Sequence, residues 1–188
     1  MKFHQNLIDF SLLGNGRKWV PRMIVIETPR LILRRMTWDD LEDLAQLYAD
    51  PAVMQFFPST RDREETRQKL ADILVAYDRY DFGLWATVHK ADNQFIGRCG
   101  LIPQIVDEQS EIEIGYMLAK AYWRQGLATE AAIAIKQYGF QVIGCDRLIS
   151  LIDPDNLASQ KVALNNGMTH EKDTVISGQQ VRIYTTYR

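Results

Sequence analysis

The segment Ala-Tyr-Trp-Arg-Gln-Gly-Leu-Ala-Thr-Glu-Ala, residues 121–131, sets Gly126 and the small Ala128 where a strand-like run gives way to an alanine-rich helix. Small side chains there let main-chain N–H groups face outwards, where free donors and the positive end of the helix dipole suit a phosphate. The plainer alternative is that Gly126 only begins the helix and the alanines only pack. A dinucleotide-binding turn fits poorly, because that motif follows its strand at once and about seven residues intervene here. Just upstream, alternation sets Glu111, Glu113, Gly115 and Met117 on one face and Ile112, Ile114, Tyr116 and Leu118 on the other. The apolar face is expected to be core. The other offers two carboxylates for general-base work or for holding a cation, the alternative being a merely solvated face.

The elements that must position these groups can be read from periodicity. A strand-like run from Ile24 ends at Met36. Thr37 and Asp40 then have capping-box spacing, and Leu41, Leu44, Ala45 and Tyr48 repeat as a helix until Asp50-Pro51. A second helix is expected over 62–79. Strands follow at 82–90, 94–102 and 111–118, joined by the polar turn 91–93 and a loop over 103–110. Leu127, Ala131, Ile135, Tyr138 and Val142 form a helical stripe, with Glu130, Gln137 and Gln141 opposite. A strand at 147–152, a short helix at 156–166 closed by Gly167, and strands at 168–175 and 180–187 complete the chain. This order describes an α/β or α+β sheet covered by helices.

The 188 residues suit one domain, against a prior of roughly 100 to 200 residues per domain. Twenty-two Lys and Arg against 24 Asp and Glu leave a net charge of −2, so no strong field draws in nucleic acid or an anionic membrane. Cys99 and Cys145 build no disulfide framework and no Cys or His has zinc spacing, so both thiols are expected as core fillers and no metal is expected. No apolar run approaches the roughly 18 residues of a membrane helix, and a cytoplasmic protein is expected. Residues 1–22, with Lys2, Arg17, Lys18 and Arg22 around a short apolar segment, lack the plan of a signal peptide. They are treated as an N-terminal extension, open to disorder, ahead of a single domain over 23–188.

Glu-Thr-Pro-Arg-Leu-Ile-Leu-Arg at 27–34, Asp-Pro-Ala-Val-Met at 50–54, Glu-Ile-Gly-Tyr-Met-Leu at 113–118, Tyr-Trp-Arg-Gln-Gly-Leu-Ala-Thr-Glu-Ala at 122–131, and Asn156 with Ser159 before Asn-Gly-Met at 166–168 together resemble the GNAT N-acetyltransferases, in their RimJ/RimL-like branch. The resemblance covers most of 24–188. It implies a mixed, mostly antiparallel sheet that splays after its fourth strand, helices on both faces, and acetyl-CoA wedged in the gap as acetyl donor. It implies that Met117, Leu118, Arg124, Gln125, Gly126, Leu127, Ala128, Thr129, Asn156 and Lys161 hold the coenzyme. Trp123 stands where the superfamily usually has Gln or Arg, so Arg124 and Gln125 must supply the polar side chains.

The same resemblance singles out Glu113 as the base, acting directly or through water, because it falls in the Glu-Ile-Gly-Tyr motif. It turns Asn156 towards pantetheine and acceptor and lets Ser159 steady the departing thiolate, although Asn156 could equally cap its helix and Ser159 be ordinary surface. The tyrosine that many relatives place later in this helix as general acid is absent, since the stretch reads Val-Ala-Leu-Asn. Phe56, Phe57 and Glu111 are the candidate acceptor contacts, while Trp85 is expected in the core.

Direct attack on a thioester needs a neutral amine. An α-amine at about 7.7 to 8.0 reaches that state far more easily than a lysine at about 10.4, a difference of some 3.5 kcal/mol. A protein N-terminus, of ribosomal-protein type, is thus the expected acceptor. A small amine, such as a polyamine or an antibiotic, is the alternative, and a coenzyme-binding module without catalysis is the reading from another class. Either a monomer or a homodimer is compatible with the sequence.

Overall fold

The computed structural model describes residues 1–3 and 23–188. Its strands are β1 (Lys2–Phe3), β2 (Ile24–Glu27), β3 (Leu31–Arg34), β4 (Leu84–His89), β5 (Gln94–Val106), β6 (Gln109–Leu118), β7 (Arg147–Ile152), β8 (Thr169–Ile176) and β9 (Gln179–Tyr187). They form one sheet in the order β1-β2-β3-β4-β5-β6-β7-β9-β8. The helices are α1 (Leu41–Ala49), α2 (Arg63–Tyr80), α3 (Leu127–Tyr138) and α4 (Leu157–Asn165).

Three departures from the sequence reading have local causes. The run from Ile24 to Met36 is a hairpin, not one strand. Thr28 N–H donates to Leu31 O at 2.9 Å and Leu31 N–H to Thr28 Oγ1 at 2.9 Å, while Pro29, with no N–H to lose, takes the corner. The expected loop over 103–110 is mostly strand, because Asp107 (φ 48°) and Glu108 (φ 64°) both adopt the left-handed conformation that a two-residue hairpin turn demands. That tip is fixed to β8 by Lys172 (2.7 Å) and Thr174 (2.9 Å), both on the Asp107 carboxylate. Finally, Lys2 and Phe3, read as part of the extension, pair with Glu27 and Ile26, and the Phe3 ring stands edge-on to Tyr138 at 5.7 Å. Residues 4–22, the rest of that extension, lie outside the described residues.

Register shows which helices cover which face. Trp85 pairs with Cys99 and Cys99 with Tyr116, so the three share a face; Trp85 packs edge-on to Tyr138 of α3 at 5.2 Å, and Tyr116 reaches α4. Ala86 pairs with Arg98 and Arg98 with Met117 on the opposite face, where the Arg98 guanidinium lies 5.4 Å from the centre of the Tyr48 ring of α1. Two helix layers thus enclose the sheet. Leu33, Leu44, Leu70, Ile96 and Ile135 are among the fully buried side chains of this core, each stabilising the fold by roughly 1.5–3 kcal/mol. The buried Arg34 forks onto Asp40 at 2.8 and 2.6 Å, and Asp40 also accepts the Thr37 N–H at 2.9 Å, which ties β3 to the start of α1.

Where β6 meets β7 the pairing turns parallel and has a single registered pair, Glu113 with Ile149. Beyond it, β6 continues to Leu118 and β7 to Ile152 without a ladder between them. This is the expected splay, after the strand that stands sixth once β1 and the β2–β3 hairpin are counted.

Candidate active site

The splay opens a cleft of about 560 Å³ between β6, the start of α3, α4 and the loop joining α1 to α2. At its floor α3 begins at Gly126, whose φ of 77° is left-handed and suits glycine. The first main-chain bond of the helix runs from Glu130 N–H to Gly126 O at 3.0 Å. The N–H groups of Gly126, Leu127, Ala128 and Thr129 therefore precede the helical ladder, and all four residues line the cleft.

A clamp behind the loop holds these amides outwards. Glu130 Oε1 accepts from Thr28 Oγ1 (2.6 Å) and Arg30 N–H (2.9 Å), and its Oε2 accepts from Arg30 Nε (2.6 Å). Arg30 Nη1 also donates to Gln125 O at 2.8 Å. Burial pushes the Glu130 carboxyl up, but the hydrogen bonds from Thr28 and Arg30 outweigh it and hold the group below the usual carboxylate range. Trp123 Nε1 donates to Leu118 O at 2.7 Å, fastening the far side of the loop to β6.

Of the residues implicated by sequence, Met117, Leu118, Arg124, Gly126, Leu127, Ala128, Thr129, Asn156, Ser159, Lys161, Phe56 and Phe57 all line this cleft. Gln125 does not, since its side-chain amide donates to Ala121 O at 3.1 Å and its carbonyl takes Arg30. Glu111 does not either. Arg147 holds its carboxylate at 3.1 Å while also binding Glu171 and Tyr187, an exposed network at the far end of β6. Asn156 caps α4, its Oδ1 accepting Ser159 N–H at 3.0 Å, and the residue lines the cleft.

Glu113 lies behind the lining rather than in it, at the rung where the sheet divides. Its Oε2 accepts from Gln104 Nε2 at 2.7 Å. Burial raises its pKa above the usual carboxylate value, while Gln104, the Leu151 main chain and the Arg98 charge pull the other way. A carboxylate so poised stays a competent proton acceptor nearer neutrality than a solvated one.

Sequence reasoning missed Tyr116, counted among the core residues of its strand. It lines the cleft, and its hydroxyl donates to Ser159 O at 2.8 Å, a strut from β6 to α4 across the splay. Burial raises its pKa, so it remains a phenol at any working pH. Alternation placed it correctly on the α4 face, but could not show that the face opens there. Glu130 was likewise read only as the polar side of α3, because its partners stand about a hundred residues earlier in the chain. Trp85 is fully buried, as expected, and so is Cys99, whereas Cys145 is half-buried. Among the described residues no cluster of His, Cys, Asp and Glu is disposed to hold a metal, and no helix is long and apolar enough to cross a membrane.

The family model described as the acetyltransferase (GNAT) domain matches residues 30–169. YkkB of Bacillus subtilis is 35% identical over 158 residues, covering 84% of this chain and 92% of that protein. The N-acetyltransferase p20 of Bacillus licheniformis is 28% identical over 159 residues, covering 82% and 86%. Among solved structures, the ribosomal L7/L12 α-N-protein acetyltransferase RimL in complex with coenzyme A has a TM-score of 0.72 at 20% identity, covering 87% of this chain and 97% of that one.

Proposed function

The chain belongs to the GNAT acetyltransferase family, and from that premise we propose that it moves the acetyl group of acetyl-CoA to the α-amine of a protein N-terminus. One observation carries this reading: the unladdered amides of Gly126 to Thr129 face an open cleft built between separating strands, with Arg124 and Lys161 as the cations on its wall. A pyrophosphate would accept hydrogen bonds from those amides and gain from the dipole of α3. The pantetheine arm would then run between β6 and α4 past Met117 and Asn156.

The neutral amine attacks the thioester carbonyl carbon, and the carbon–sulfur bond breaks as the amide forms. Glu113, set back at the dividing rung, takes the amine proton through an intervening water. The Ser159 hydroxyl donates a hydrogen bond to the departing thiolate, which then takes up a proton from solvent. No covalent enzyme intermediate forms.

The acceptor assignment gains from the charge of the cleft. Among the described residues its lining holds Arg124 and Lys161 and no carboxylate, and Glu111 is committed to Arg147. A polycationic acceptor would find little to neutralise it there, whereas one α-amine suits one poised base. The free thiols Cys99 and Cys145 accord with a cytoplasmic working place. Release of free CoA, measured with acetyl-CoA against α-amine peptides, polyamines and aminoglycosides, tests the reading. Peptides should be turned over fastest; a faster polyamine reaction would reverse the acceptor assignment, and binding of acetyl-CoA with no thiol released by any amine would leave a coenzyme-binding module.

A further inference from the structure

Directly behind the loop that carries Phe56 and Phe57 stands a group of cations that the reaction as described does not use. Arg98 is 8% exposed, and its Nε has no hydrogen-bond partner. Its guanidinium carbon lies 5.4 Å from the centre of the Tyr48 ring, and that of Arg61 lies 5.2 Å from the same ring. The Tyr48 hydroxyl is itself buried without a partner. Lys69, half-buried on α2, has its pKa lowered by burial and by the charges of Arg61 and Arg98, against the Asp72 carboxylate, which pulls it the other way. Among the described residues none of these three cations has an ion pair.

A buried guanidinium without an acceptor is destabilising unless something supplies one. The position says what that would be. Arg98 pairs in register with Met117, which lines the cleft, and its charge is felt by Glu113. The unpaired nitrogen and hydroxyl thus sit on the α1/α2 face beside the proposed base, not at the pyrophosphate loop on the opposite face.

We propose that the cluster of Arg98, Arg61, Lys69 and Tyr48 receives a carboxylate of the acceptor, so that the amine acetylated is one that carries an acidic group a few bonds away. The proposal rests on the acetyltransferase reading above and names its acceptor class. A planar carboxylate matches the guanidinium fork. The acid is either the side chain of an acidic residue near a protein N-terminus or the α-carboxylate of a free amino acid.

The test measures kcat/KM by CoA release for matched acceptors: a peptide beginning serine-aspartate against serine-asparagine, and a free amino acid against its amide. The wild-type chain should prefer the acid of at least one pair by about ten- to a hundredfold, and the pair that responds identifies the source. Arg98→Gln should abolish that preference by raising KM for the acid alone, and Arg61→Gln, at a half-exposed site, should weaken it without threatening the fold. Equal use of acid and amide by the wild type, or equal losses for both in Arg98→Gln, would overturn the proposal. Should no acceptor be turned over, the acetyltransferase reading fails separately. Binding of N-acetylaspartate against N-acetylasparagine amide, read by thermal shift with CoA present, then decides: tighter binding of the acid, lost in Arg98→Gln, upholds the proposal, and no difference overturns it.

Discussion

Glu113→Gln separates the two properties that its buried place couples. If Glu113 is the base proposed above, the change should lower kcat by about a hundredfold and remove the acid limb of the pH–rate profile, which protonation of that base would set. The stability effect has the opposite sign. A carboxyl whose pKa is raised in the folded chain holds its proton better there than in the unfolded chain. Its contribution to stability is therefore full below the unfolded value and falls as pH rises through the folded one. Glu113→Gln should melt higher than wild type at pH 8, with the difference shrinking as pH drops; thermal melts across pH check this. Tyr116→Phe removes only the strut to Ser159 O, and should destabilise the chain by about 1 kcal/mol in urea melts with KM for acetyl-CoA raised more than kcat is lowered. Alternation and motif both singled out Glu113 in the sequence, and the structure sets it behind the cleft lining. Tyr116 was not legible, because a tyrosine among Ile112, Ile114 and Leu118 looks the same in sequence whether its face is sealed or parted.

The loop ahead of α3 depends on its clamp as much as on its glycine. Glu130→Ala frees Thr28 and Arg30 together, and should raise KM for acetyl-CoA several-fold while kcat at saturation stays within about twofold. Gly126→Ala has room for its Cβ, the nearest atom being Arg30 Nη2 at 3.6 Å, so its cost comes from the left-handed backbone, about 1–2 kcal/mol. Urea melts measure that cost and coenzyme titration the accompanying loss of affinity. At this scale the helices were read closely, because capping residues and apolar stripes are local signals: Asp50 and Pro51 end α1, and Gly167 follows α4 in the left-handed conformation. The strands were read less well where turns carry no glycine. Asp107 and Glu108 take the positive φ of a two-residue hairpin turn without glycine, and β8 fixes their tip through Lys172 and Thr174, contacts that no window around residue 107 contains.

For the whole molecule, coenzyme and fold should stabilise one another. Acetyl-CoA at about a hundred times its Kd adds roughly 2.7 kcal/mol, and the melting temperature should rise by about 5–10 °C; a rise absent for the wild type would remove the cleft from consideration as the coenzyme site. The antiparallel run of β4, β5 and β6 and both helix layers could be anticipated from the succession of elements and the resemblance, since short connections force antiparallel neighbours. The parting of the sheet could not be read from residue patterns, because it is a property of how β6 and β7 diverge and not of either strand.

Across that parting, the two portions share one registered main-chain pair, Glu113 with Ile149, and side-chain ties that include Ser150 Oγ to Ile114 O (2.9 Å), Tyr116 to Ser159, Arg147 to Glu111, and Lys172 and Thr174 to Asp107. Because no ladder closes β6 onto β7 beyond that pair, a molecule lodged in the cleft would act as mortar between the two portions. Deuterium uptake by the amides of 114–118 and 150–152 should accordingly slow in concert when acetyl-CoA is added, while the β2–β3 hairpin at the opposite margin keeps its own pace.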